Sequence, residues 1–222
     1  LLELHAIAQR PNHQKLMQAM QAAPPVALRI GATKTIGDYI LGPAIRRFLD
    51  APDHQLQFLV DNTAALLHRL EQGELDFVVL EGVFNKARYD SFLLRNEPYI
   101  GICPPGHPLD GQTISPEALL GQRLILREEG SGTRDLLERA LAQCSYTVEA
   151  FSGTVCVSSF KVIRDLVCAG YGISFVYAAV AADLPAPGRF FCPPLTGSHE
   201  LNAVWLKGTD AGALARAFVA GL

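Results

Sequence analysis

Hydrophobic positions along the chain switch between two periods. After Pro25 the near-continuous apolar run in VALRIGA predicts a strand over 26–31, and Ile36, Ile40, Leu41, Ile45, Phe48 and Leu49 then recur at helical spacing, tracing one helix face up to Pro52. QLQFLV (55–60) predicts the next strand. A helix follows from Thr63, with Leu66, Leu67 and Leu70 inward and Gly73 as its stop. DFVVL (76–80) is a third strand, too apolar to be half exposed. Strands this apolar, alternating with helices, predict a parallel sheet covered on both faces.

A second block repeats the alternation. It predicts a short helix at 115–122, a strand at 123–127 and a helix at 132–143 with Leu136, Leu137, Ala140 and Leu141 inward. A strand near 146–150, a helix at 158–169 and a strand at 173–177 follow, then a last strand at 201–207 and a helix at 210–220. The segments between and after the blocks, NEPYIGICPPGHPL (96–109) and FFCPPLTGSHE (190–200), are rich in breakers. Two such crossings predict an α/β chain of two Rossmann-like lobes, 26–97 with 198–222 and 98–197, and a ligand cleft between them. Pro43 inside the first helix predicts a kink.

Residues 1–25 differ in character. Leu1, Leu4, Ala8, Leu16, Met17 and Met20 make a thin helical stripe, broken at Pro11 and closed by Pro24-Pro25, which reads as a linker or pairing helix. The chain starts without Met or a signal peptide and reads as a piece of something longer. Leu166 to Ala182 carries no charge, but Gly170, Gly172 and Ser174 interrupt it, so it reads as helix end, buried strand and second helix rather than a membrane span.

Composition narrows the function. The chain has 222 residues, 49% of them hydrophobic and 18% charged, and a net charge of -3. That describes an ordinary folded chain without the basic surplus needed to hold nucleic acid by its phosphates. Its five cysteines lie in apolar runs and read as small buried hydrophobes in a reducing, cytoplasmic setting.

In such sheets ligands collect beyond the strand ends, where helix N-termini offer free N–H groups. The residues there are Thr33-Lys34-Thr35, Asn62-Thr63, Gly130-Ser131-Gly132-Thr133 and Ser158-Ser159. Each is also an ordinary N-cap sequence, and capping alone remains an equal reading at every junction. What favours binding is four such junctions facing one cleft, with Lys34, Arg134 and Lys161 in or beside them. This pattern points to a small anion. For Arg134 and Lys161 a solvated helix face is the equal alternative. Glu81, Glu128 and Glu129 stand near the cleft and read as hinge or surface groups. Neither a GxSxG elbow nor metal-ligand histidine spacing is present, so the chain reads as no enzyme, with no metal and no cofactor.

Several motifs in order, LRIGATKTIGDYILGPAIRRFL, LVDNTAALLHRLEQGELDFVVLEG, EPYIGICPPGHPL, LILREEGSGTRDLLERAL and SSFKVIRDLVCAGYGISFVY, resemble the effector-binding domain of LysR-type transcriptional regulators. The resemblance covers almost all of 26–222. It implies a type 2 periplasmic-binding-protein-like fold and effector contacts at Thr33, Thr35, Asn62, Thr63, Ser131, Gly132, Thr133 and Ser159. Lys34 departs from the family pattern and either adds a positive charge to this set or projects to solvent. The resemblance also implies DNA binding through an N-terminal domain missing from this chain, and a homo-oligomer, dimer or tetramer, with no membrane partner. Residues 1–25 would then be the end of a linker helix. The alternative is an extracytoplasmic solute-binding protein for a small anion.

Overall fold

The computed structural model describes residues 26–81, 84–182 and 186–222. The expected linker helix over 1–25 lies outside them. Strand β1 (Ala27–Ala32) pairs in parallel with β2 (Gln55–Val60) on one side and with β3 (Phe77–Glu81) on the other. Two short helices, α1 (Lys34–Tyr39) and α2 (Gly42–Leu49), follow β1, and α3 (Thr63–Glu71) joins β2 to β3. All five residues of β3 are buried, as the continuous apolar run requires.

The helix expected over Ile36 to Leu49 is two helices. The chain breaks at Ile40–Leu41, and Pro43 stands in the first turn of α2, where its missing N–H has no helical partner to lose. Pro43 therefore starts a helix instead of kinking one.

The parallel arrangement ends beyond β3. The long strand β4 (Tyr89–Cys103) runs antiparallel to β9 (Gly197–Leu206), which itself pairs antiparallel with β3. The opposite end of β4 takes β7 (Ser174–Tyr177) and β8 (Gly188–Phe190), also antiparallel. One mixed seven-stranded sheet results, in the order β2-β1-β3-β9-β4-β7 with β8 beside β4. Separately, β5 (Arg123–Leu126) and β6 (Gly153–Cys156) form a parallel pair, tied to the rest through a bridge between Leu124 and Ile173. The strand expected at 146–150 is thus displaced. Val148–Ala150 is a 3-10 turn, and the register sets Arg123 opposite Gly153, so the β-branched stretch Thr154-Val155 takes the strand. Helices α4 (Gly132–Gln143), α5 (Phe160–Cys168) and α6 (Ala211–Val219) complete the chain.

The apolar clusters divide where β4 and β9 cross. Leu28, Ile30, Phe77, Leu201 and Phe218 pack in one, and Leu66, Leu70, Leu80 and Val204 in a second beside it. Beyond the Glu97–His199 pair, Tyr99, Leu124, Phe175 and Phe190 build a third, and Ile102, Phe160 and Ile163 a fourth. In that crossing His199 lies against the rings of Tyr99 and Tyr177 at 5.7 and 6.1 Å. Glu97 pairs with Arg95 at 2.7 Å and accepts the Ala179 N–H at 2.9 Å, tying β4 to the segment after β7.

Cys103 and Cys192 are buried, and Cys144 and Cys168 are half-buried. Cys156 is exposed, because the β5–β6 pair turns one face of β6 outward. Among the described residues no helix is long and apolar enough to cross a membrane.

Candidate functional site

Three of the four strand-to-helix junctions line one cavity of about 320 Å³. From the β1 side come Thr33, Lys34 and Thr35, and from the β2 side Asp61, Asn62 and Thr63. The far wall is the segment from Arg127 through Glu129 to Gly130, Ser131, Gly132 and Thr133, with Glu81 at the end of β3.

The hydroxyl and amide groups do not all do the same work. Asn62 caps α3, its Oδ1 accepting the Ala65 N–H at 2.9 Å. Ser159 caps α5 in the same way, accepting from Val162 N–H at 3.4 Å, and does not line the cavity. For Ser159 the capping reading describes its position.

Thr33 and Ser131 hold N-cap positions without a side-chain capping bond. Thr33 donates its hydroxyl to Glu81 Oε2. Ser131, 7% exposed, is left with its hydroxyl beside the first turn of the twelve-residue helix α4, whose leading N–H groups have no acceptor within the helix. Gly130, at φ 80, makes the turn that delivers them there. The Thr35 hydroxyl is buried in the same wall with no hydrogen-bond partner among the described residues.

The cations are distributed differently from the sequence expectation. Lys34 lines the cavity with its Nζ 3.8 Å from Asp38, an exposed pairing of little strength. Arg134 turns away, bonding Glu138 at 2.6 Å and the Arg127 carbonyl at 3.3 Å. Lys161 pairs with Asp165 at 2.8 Å on the helix surface, the solvated-face alternative.

Sequence reasoning missed Arg127. It is buried, lies over the Phe160 ring at 4.4 Å, and meets both oxygens of Glu128 at 2.7 Å, which holds the Glu128 carboxyl below its usual range. The available signal was a charge closing the apolar run RLIL. The reading of Glu81 as a surface group also fails: it is 6% exposed and forms part of the cavity wall. Burial pushes its carboxyl above the usual range, opposed by the Thr33 hydrogen bond, by its own backbone N–H and by the charge of Arg127.

A polar cavity at the strand ends of an α/β sheet, walled by uncommitted hydroxyls and a helix N-terminus, is the architecture of a small-molecule-binding domain. Comparison with known proteins places it more narrowly. The chain belongs to the LysR substrate binding domain family, which matches residues 23–222.

The chain is 31% identical over 153 residues to the HTH-type transcriptional regulator CbbR of Sinorhizobium medicae, covering 68% of this chain and 48% of that protein. An uncharacterised HTH-type transcriptional regulator of Methanocaldococcus jannaschii is 28% identical over 173 residues, covering 77% of this chain and 56% of its own length. The chain thus spans about half the length of the curated relatives it matches. Among solved structures, the Synechocystis CcmR regulatory domain, determined in complex with 2-PG, superposes with a TM-score of 0.77 at 19% identity, covering 87% of this chain and 96% of that one. The fold is type 2 periplasmic-binding-protein-like.

Proposed function

We propose that the chain is the effector-sensing part of a DNA-binding transcriptional regulator, with a small anionic effector in the cavity between two lobes, 26–97 with 198–222 and 98–197. The observation that carries the reading is the Ser131 corner, where an uncommitted hydroxyl and the leading N–H groups of α4 open onto the cavity. Opposite it stand Thr33, Lys34 and Thr35, with Asn62 and Thr63 beside them. Neutral donors plus one accessible cation suit an oxyanion or carboxylate, because a charge on the ligand strengthens every bond made to it.

In this reading the effector acts through its different affinity for two arrangements of the lobes, and coupling of ~1–3 kcal/mol is enough to shift their populations. DNA would be read by a segment outside this chain, in a cytoplasmic homodimer or homotetramer. The transcriptional regulators among the relatives support this reading over transport of a solute or turnover of a substrate. Isothermal titration of the chain with small carboxylates and inorganic oxyanions tests it. At least one should bind to the parent chain and bind about tenfold or more weakly to Ser131→Ala, the loss expected for one charge-assisted hydrogen bond. Equal affinity in the two proteins would contradict the cavity as the binding site.

A further inference from the structure

A buried carboxylate in the wall of an anion cavity calls for an explanation, and Glu81 is that carboxylate. Its Oε2 accepts the Thr33 hydroxyl, while its Oε1 lies 3.9 Å from where a Cβ on Gly132 would stand, so that oxygen faces the first turn of α4. The other charged groups lining the cavity are Lys34, Asp61, Arg127, Glu128 and Glu129, and from β7 the phenol of Tyr177 is disfavoured as an anion first by burial and then by the charge of Glu81. Arg127 is engaged by Glu128 and Lys34 is exposed, so neither neutralises Glu81 by direct contact. An ionised Glu81 would oppose a proton-free anion seated at α4. A protonated Glu81 would carry its hydrogen on Oε1, since Oε2 already receives the Thr33 bond, and would donate it to the ligand.

Resting on the anion-cavity reading, we infer that Glu81 and the ligand share one proton, so the cavity selects small acids that keep an O–H or N–H donor beside their anionic oxygens. Where Glu81 is ionised in the free chain, an anion without such a donor binds only by taking one proton from solvent onto Glu81 Oε1. No covalent bond changes.

Inorganic phosphate and sulfate test this on the whole chain, because slightly above neutral pH both are tetrahedral dianions but only phosphate carries a proton. Titration calorimetry should show phosphate bound at least about tenfold more tightly than sulfate. Sulfate affinity should rise as pH falls, by up to about tenfold per pH unit, with one proton taken up per sulfate when buffers of different ionisation enthalpy are compared. In Glu81→Gln, whose amide can donate permanently, the two dianions should bind alike and sulfate should bind without pH dependence. The proton count on the parent chain stands even if that variant folds poorly. Sulfate bound as tightly as phosphate with no proton uptake, or a preference that survives Glu81→Gln, would overturn the inference and leave the cavity standing. Failure of the parent chain to bind either anion would overturn both.

Discussion

Thr33 and Ser131 both hold the N-cap of the helix that follows their strand but answer to different partners. The Ser131 hydroxyl makes no capping bond, so Ser131→Ala should leave the melting temperature nearly unchanged while weakening anion binding. Thr33 donates to a buried carboxylate, so Thr33→Ala leaves a buried oxygen without its donor and should cost ~1–3 kcal/mol of stability in chemical denaturation. Glu81 gives this scale a pH signature. Folding raises its pKa above the unfolded value of ~4.3, so the folded chain retains a proton that the unfolded chain releases. The resulting stabilisation is complete below the unfolded pKa and is lost as pH rises through the folded one. Melting curves of Glu81→Gln across mildly acidic to alkaline pH should therefore fall less steeply than those of the parent chain. Identical slopes would show that Glu81 does not titrate differently in the two states.

At the scale of elements, one turn shapes the cavity wall and one close approach fixes β4. Gly130 lies at φ 80 directly before α4, and Gly130→Ala should destabilise by ~1–2 kcal/mol and weaken binding together, because the strained turn also aims Ser131. Gly101 in β4 leaves no room for a Cβ, which would stand 2.2 Å from the Phe190 ring, so Gly101→Ala should cost several-fold more thermal stability than Gly153→Ala, whose Cβ meets nothing. Legibility at this scale followed periodicity. Helix α4 was readable to its ends, because Leu137 and Leu141 mark a buried stripe and Ser131-Gly132 its start. The break at Ile40–Leu41 was hidden, since the apolar spacing of Ile36, Ile40, Leu41 and Ile45 continues through it. Strand β6 was misplaced because its pairing with β5 is set by a register far away in sequence. Of the four junctions where short polar residues follow a strand, three line the cavity and the Ser158-Ser159 junction does not. Arg127 and the burial of Glu81 escaped because what makes these residues part of the cavity wall is packing among distant neighbours, which no local pattern carries.

Over the whole molecule, the antiparallel β4–β9 pair joins apolar clusters on either side of the cavity, and the net charge of -3 gives the chain no basic surplus for gripping phosphate backbones. A ligand held only by the folded form at 100 times its dissociation constant adds ~2.7 kcal/mol, which for a chain of this size is a rise of roughly 5–10 °C in melting temperature. A thermal-shift series should show that rise in the parent chain and a much smaller one in Ser131→Ala at the same concentration. The most direct test of the central claim is an amide-resolved NMR titration of the chain with inorganic phosphate. The largest shifts are expected at the amides of Ser131, Gly132 and Thr133, with Thr33 to Thr35 moving in parallel along one binding curve. Saturable shifts that fall elsewhere and leave these amides unmoved would contradict that claim.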